Sequence, residues 1–191
     1  VGAGIALLPR WERQPDAVSP AASPAEPSFT GSTACADCHA EIHDAWSGSQ
    51  HEQAMQHADS GTVLGDFGGV SFTDGGVTTT FLQRDSVYFV RTEGADGAVS
   101  DHRIGYTFGV YPLQQYLVEL SDGRLQPLTV AWDARPPAEG GQRWMTLYPG
   151  ERIEHTDELH WTGRQQNWNF MCADCHSTDV RKNYDREADR F

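Results

Sequence analysis

Two identical five-residue strings, Cys-Ala-Asp-Cys-His at 35–39 and at 172–176, carry the side chains best suited to chemistry. In a helical turn, residues i, i+3 and i+4 share one face, so the two thiols and the imidazole of each string project together. Two thiols at this spacing can add to the vinyl groups of one haem, and the adjacent histidine then lies under the iron. The strings therefore predict two covalent haem c groups, with Cys35, Cys38, Cys172 and Cys175 as thioether residues and His39 and His176 as proximal ligands.

Other chemistry for four cysteines is less consistent with this spacing. Zinc ribbons separate their cysteine pairs by roughly 15–20 residues, whereas Cys38 and Cys172 lie 172 − 38 = 134 positions apart. A disulfide within either pair would have to close inside one helical turn, which suits its geometry poorly. A thioredoxin-like redox pair would need a βαβ pattern around it, and none surrounds either string.

Each iron also needs a sixth ligand or an open coordination site. His51 follows a Ser-Gly-Ser break that can turn the chain back over a haem, and His160 has apolar neighbours just before the second string. His43 lies one turn past His39, so we expect it on the same side of the porphyrin as that proximal ligand. The distal candidates are thus His51 and His160, and the weaker alternatives are His43, His57, His102, His155 and Met55.

The elements that position these residues are predicted to be helical at both ends and β in the middle. We expect helices near Thr33–Ala45, Gln50–Ala58 and Thr162–His176. β-branched and aromatic runs between Asp-Gly turn signals predict strands, and these runs lie at 77–82, 86–91, 115–120 and 128–132. The sequence therefore predicts an α+β fold, in which two haem-bearing helical segments flank an antiparallel β meander.

The N-terminal part differs in composition from the rest. Residues 1–8 are apolar but too few to span a bilayer, which is typical of the end of a signal segment or of an N-terminal anchor. Residues 14–28 hold four prolines and no aromatic residue, and this composition predicts an extended arm. We therefore divide the chain into 1–28, the signal or anchor end with a Pro/Ala-rich arm, and 29–191, a dihaem domain. Covalent haem attachment further predicts export to the periplasm or the cell exterior.

The overall charge limits the classes of partner. The chain has 14 Lys and Arg against 27 Asp and Glu, a formal net charge of −13. Such a surface repels nucleic acid and anionic lipid headgroups and attracts basic proteins. We therefore expect basic redox partners, no nucleic-acid binding, and membrane contact only through an N-terminal anchor.

Several longer phrases resemble a known family. The first group of phrases includes the first string, Ser49-Gln50-His51 and Ala54-Met55. The second runs from Tyr106 to Leu117, and the last two cover residues 159–163 and 167–176. Over roughly residues 29–185 the chain resembles the hydroxylamine-pathway tetrahaem group of multihaem c-type cytochromes, in particular the cytochrome domain that precedes tetratricopeptide repeats. The resemblance implies low-spin haem with two histidine ligands, and it implies that His51 and His160 are distal ligands.

These features predict an electron carrier rather than an enzyme. Two irons that each carry two histidine ligands would leave no room for a substrate, and this ligation lowers the reduction potential relative to His/Met. A further hypothesis is that the N-terminal arm docks on the next subunit, so that head-to-tail contacts build an extracellular conducting filament. The alternative is a haem enzyme whose open iron acts on a small nitrogen compound or a peroxide.

Overall fold

The structure is a computed structural model that describes residues 28–191. The fold below is that of the compact unit Gly31–Phe191. The predicted signal or anchor end and nearly all of the Pro/Ala-rich arm lie outside the described residues. Within the described part, no helix is both long enough and apolar enough to cross a membrane.

An antiparallel sheet forms most of this unit. Its strands in the described part are β1 (Met55–His57), β2 (Gly68–Asp74), β3 (Val77–Arg84), β4 (Val87–Glu93), β5 (Val99–Phe108), β6 (Leu113–Glu119), β7 (Leu125–Pro127), β8 (Val130–Asp133) and β9 (Arg143–Thr146). Neighbouring strands follow the order β2-β3-β4-β5-β6-β8-β9, while β1 pairs with β5 and β7 pairs with β6.

The sequence of the strands explains their pairing. Along β3 and β4, buried side chains such as Phe81 and Val90 alternate with more exposed ones, as expected for strands with one face on a core. Gly75 and Gly76 both have positive φ and join β2 to β3, a backbone that a two-residue hairpin turn requires. The four runs predicted as strands overlap β3, β4, β6 and β8, so these predictions are confirmed.

Aromatic side chains close the sheet on itself. Phe81 of β3 stacks on Trp144 of β9, with ring centroids 3.3 Å apart and planes 2° from parallel. Phe67 meets both rings edge-on, and Tyr116 of β6 is fully buried beside them. The first and last strands of the path, β2 and β9, approach each other. The result is a nearly closed barrel of seven strands around an aromatic core.

The predicted α+β class is therefore wrong, because the chain is mostly antiparallel β with a few short helices. The described helices are α1 (Thr33–Ala36), α2 (Ala40–Trp46), α3 (Trp168–Met171) and α4 (Ala173–His176), with 3₁₀ turns at Pro137–Glu139 and Arg164–Gln166. Non-helical backbone at His39 and at Cys172 divides each of the two predicted haem-bearing helices. The helix predicted at 50–58 is replaced by a turn and by β1, which pairs with β5.

An ion-pair network on the outer face supplies a first testable prediction. Asp101 of β5 accepts hydrogen bonds from Arg91 at 2.7 Å and from Arg84 at 2.6 Å. These two partners lower the pKa of Asp101 to about 2, with Arg91 contributing most. Because the folded pKa lies below the unfolded value of about 3.9, the stabilisation is complete above about pH 4 and is lost as the pH falls towards 2.

We expect Asp101→Asn to lower the free energy of unfolding by less than about 1 kcal/mol near neutral pH, since the network faces solvent. The difference from the parent protein should disappear as the pH falls towards about 2. Urea unfolding of both proteins across this pH range measures the effect. Glu151→Gln, an exposed carboxylate without an ion pair in the described part, is the control and should show no such pH-dependent difference.

Candidate functional site

The first cysteine string lies on the surface, between two short helices. The Cys35 carbonyl accepts a hydrogen bond from the His39 backbone N–H at 3.0 Å, so these residues lie one helical turn apart. His39 immediately precedes α2, and Cys35, Cys38 and His39 are all exposed. The string thus presents its thiols and its imidazole on an open face rather than in a closed pocket.

The second string is held more tightly against the barrel. The Cys172 carbonyl accepts hydrogen bonds from the backbone N–H groups of Cys175 and His176, both at 3.1 Å, which gives the i, i+3, i+4 arrangement that haem attachment requires. The side chain of Asn167 caps α3 by accepting from Phe170 N at 3.1 Å. Cys172 is partly buried, and this burial raises the pKa of its thiol.

A second apolar cluster anchors the second string to β5, β6 and β7. Its buried members are Leu117, Trp168 and Ala173. Partly buried side chains pack against them, namely Met55, Tyr106, Phe108, Leu125 and Cys172. The Asn169 side chain accepts a hydrogen bond from Leu125 N at 2.8 Å and so ties the helix to β7. The Cys172 thiol therefore has a fixed place at the edge of this cluster.

A cleft of about 580 Å³ opens beside the second string, within the size range of about 300–1,000 Å³ usual for bound small molecules and cofactors. Cys175 and His176 line one part of it. Tyr106 of β5 also lines it, and its other lining residues come mainly from the first half of the chain: Trp46, His51, Glu52, Ala54, Met55, Gln56 and His57. The His176 ring also meets Phe108 edge-on, with centroids 4.9 Å apart.

The pairing of β1 with β5 brings the two halves of this cleft together. Met55 lies opposite Phe108 and His57 lies opposite Tyr106, so all four residues belong to one face of the strand pair. Just beyond β5, Gly109 N donates to Ala54 O at 2.7 Å. Gly109 has φ +83°, and a Cβ atom there would lie 2.9 Å from the Leu113 carbonyl oxygen, so the position requires glycine.

Two of the candidate distal histidines therefore share the cleft with His176. His51 lies on the turn that follows α2, and its side chain is exposed towards the cleft opening. The His57 ring lies against Tyr106, with centroids 4.7 Å apart. Met55, a weaker candidate, lines the same cleft. Sequence reasoning did not select Tyr106 and Phe108 as site residues, because it did not predict β5.

His160 lies in a different place. It is buried, and its Nδ1 is 2.7 Å from the hydroxyl of Thr162. It contacts a small cavity of about 50 Å³ inside the barrel rather than the cleft of His176. Burial is the main cause that lowers the pKa of this imidazole. His160 is thus absent from the lining of the cleft that contains His176. Its role as a distal ligand stays a prediction.

The remaining candidates are scattered. His43 packs near Trp46 with centroids 5.9 Å apart, and its buried Nε2 has no hydrogen-bond partner within the described part. His102 hydrogen-bonds to Ser100 at 3.1 Å and packs on Trp161, and burial lowers its pKa. The His155 ring lies next to Gly97. None of these three lines the cleft beside His176.

A larger cavity, of about 1,000 Å³, is formed by other residues. Phe170 and Met171 border it, together with Arg124, Tyr184 and Phe191, but no cysteine or histidine does. The smaller cleft, which contains thiol and imidazole groups, is therefore the better candidate for a cofactor site.

The donor groups of both strings fit a haem c. All four cysteines are free thiols, and at the second string an apolar wall of Met55 and Tyr106 adjoins the thiol and imidazole. Among residues 28–191, no three His, Cys, Asp or Glu side chains converge as ligands of a bare metal ion.

Comparison with known proteins gives one match. The family model described as cytochrome c554 and c-prime matches residues 34–64, a stretch that contains the first string, His51 and His57. No curated protein and no solved structure matches the chain significantly. The family match supports a c-type cytochrome, with haem as its cofactor and electron transfer as its role.

Proposed function

We propose that this chain is a dihaem c-type cytochrome that transfers electrons, with one haem on each cysteine string. The observation that supports the proposal best is the cleft that gathers Cys175, His176 and His51 beside an apolar wall. Bound there, haem supplies a one-electron carrier at its iron. The protein would supply the thioether sulfurs, the imidazoles and the apolar side chains of Met55 and Tyr106.

In this proposal His176 would bind the iron of the second haem as the histidine of the string, and His51 would supply the second imidazole. Both imidazoles line the same cleft, and they come from opposite ends of the chain. His57 is the competing ligand, but its ring already packs on Tyr106 along the strand. His51 lies on the turn before β1, where no such ring contact occupies it among the described residues.

Two histidine ligands would fill both axial positions of that iron and leave no position for a substrate, which favours electron transfer over catalysis. We extend the proposal to a second bis-histidine haem at the first string and to an exported protein. The hydroxylamine-pathway tetrahaem group remains the more specific family that we propose. A haem enzyme would instead show a high-spin iron in the purified protein.

The experiment compares His51→Ala with His57→Ala in the haem-loaded protein. Mass spectrometry of the parent protein should show two added haems, and its absorption and paramagnetic resonance spectra should be low-spin. In His51→Ala, about half of the haem should become high-spin, because one of two irons loses its sixth ligand. Added imidazole should restore the low-spin spectrum. His57→Ala should remain low-spin.

Each other result has a definite meaning. A high-spin His57→Ala protein beside a low-spin His51→Ala protein would assign the distal position to His57 instead. A parent protein that carries no haem on the second string would disprove the dihaem proposal. A parent protein with a high-spin iron would favour the enzyme.

A further inference from the structure

We propose that the exposed helical face around the first string is the docking surface for a basic, Lys/Arg-rich redox protein. This acidic face consists of α1, α2 and the turn to His51, with the carboxylates of Asp37, Glu41, Asp44 and Glu52. The proposal rests on the function proposed above, because the partner exchanges electrons with the haem held by Cys35 and Cys38.

The acidic face is open to solvent. No other part of the described protein buries a residue of α1 or α2. Ile42 of α2 is 69% exposed, follows Glu41 in the sequence, and lies outside the cleft beside His176. An apolar centre with a polar rim is the usual composition of a specific protein contact.

The charge of this region has one sign only. Residues 31–66 contain six acidic side chains and no Lys or Arg. These are Asp37, Glu41, Asp44, Glu52, Asp59 and Asp66, and all six are exposed. Within the described residues none of them forms an ion pair. Asp59, Asp66 and Glu52 accept backbone hydrogen bonds.

The second string has a different electrostatic setting. Residues 164–191 contain five acidic and five basic side chains. Several of them pair locally, as Lys182 does with Asp174 at 2.8 Å. The net charge is therefore −6 over residues 31–66 and zero over residues 164–191, so the two strings differ in the charge of the sequence around them.

This difference identifies the occupant. A single-sign anionic surface attracts a cationic protein from solution and raises its association rate by about 10–1,000-fold at low ionic strength. The same charges repel a second copy of this face, and they repel nucleic acid and anionic lipid headgroups. The apolar centre at Ile42 then provides the short-range contact once the charges have aligned the partner.

The electron transfer at this surface involves no bond or proton change. The haem that Cys35, Cys38 and His39 would hold would give up one electron to an oxidised partner, so that this protein is oxidised as the partner is reduced. One electron moves in each encounter. Bis-histidine ligation lowers the potential relative to His/Met, so this direction is favourable towards a His/Met cytochrome.

The test measures how fast the reduced haem-loaded protein reduces a lysine-rich, His/Met monohaem cytochrome c, as a function of ionic strength. The docking variant is Asp37→Asn/Glu41→Gln/Asp44→Asn. The control variant, Glu139→Gln/Glu151→Gln/Glu158→Gln, removes the same number of charges from exposed carboxylates in the loops around β9. We expect the docking variant to react about tenfold more slowly at low salt, with a weaker salt dependence. The control should change less than about twofold.

Two further measurements keep the outcomes distinct. The variant Glu41→Gln/Asp44→Asn leaves the five-residue string intact, so it separates loss of surface charge from altered haem attachment. We expect it to slow the reaction too, but less than the triple docking variant does. Mass and absorption spectra establish that each variant carries both haems; a parent protein without them refutes the proposed function instead. With both haems present, equal rates for docking variant and parent would overturn the docking surface. Equal losses in the two triple variants, or a change only in self-association by sedimentation, would overturn it as well.

Discussion

Replacing Cys172 and Cys175 together by alanine is expected to leave the protein with the added mass of one haem instead of two. The thioether bonds need both sulfurs of a string, and Cys172 is the sulfur that packs into the apolar cluster with Leu117 and Trp168. The matching variant, Cys35→Ala/Cys38→Ala, should also retain one haem. Mass spectrometry under denaturing conditions measures both results.

The two variants should differ in stability. The second haem would cover the cleft wall of Met55 and Tyr106, which belong to the second apolar cluster, whereas no residue of α1 or α2 belongs to either apolar cluster. Its loss would therefore expose part of a packed cluster. Exposing roughly 100 Å² of apolar surface costs about 2.5 kcal/mol at about 25 cal/mol per Å². That cost corresponds to a melting temperature lower by about 5–10 °C for a chain of this size.

Thermal unfolding of the two single-haem proteins, followed by far-ultraviolet circular dichroism, measures this difference. We expect Cys172→Ala/Cys175→Ala to melt at the lower temperature. Equal melting temperatures would show that the cleft wall does not depend on the second haem. Two haems retained in either variant would contradict covalent attachment at that string.

Trp144→Ala is expected to lower the free energy of unfolding by about 3–5 kcal/mol, the usual cost of removing a large buried aromatic side chain. Trp144 is 5% exposed and stacks on Phe81 across the barrel. Its Nε1 also donates to the Asp66 carbonyl at 3.2 Å. The substitution would remove the ring that joins β9 to β3. The expected loss is a large part of the roughly 5–15 kcal/mol that stabilises a typical domain.

Urea unfolding of the haem-loaded protein measures this loss. Val99→Ala, at a position that is 61% exposed, is the control and should change stability by less than about 0.5 kcal/mol. Trp144→Phe keeps part of the stack and should give an intermediate value if the alanine variant does not fold. A loss below about 1 kcal/mol for Trp144→Ala would show that the Phe81–Trp144 contact does not close the barrel.

The strand predictions succeeded where the side chains themselves favoured β structure. The β-branched and aromatic residues of 77–82 and 86–91 alternate between buried and exposed positions in β3 and β4. The ten-residue strand β5 was missed, because Asp101, Arg103 and Gly105 interrupt its apolar pattern. Asp101 faces Arg91 across the pair, and Gly105 lies at a shift in register, so these residues belong to the strand for tertiary reasons.

The helix predictions failed for a related reason. Gln50–Ala58 contains residues that tolerate a helix, but the pairing of Met55 with Phe108 and of His57 with Tyr106 outweighs that weak local preference. The predicted helices that carry the strings are divided at His39 and at Cys172. The i, i+4 backbone hydrogen bond from histidine to the first cysteine nevertheless survives in both strings.

The sequence by itself determined the spacing of two thiols and an imidazole within one turn of each string, because that spacing depends only on local backbone geometry, and from it predicted haem attachment. It also determined the acidic charge and four of the strands. Only the tertiary structure decided which candidate histidines, His51 and His57, lie in the cleft with His176 and how the sheet closes. Both depend on contacts between residues about fifty or more positions apart, Met55 with Phe108 and Phe81 with Trp144, and no local pattern in the sequence encodes such pairings.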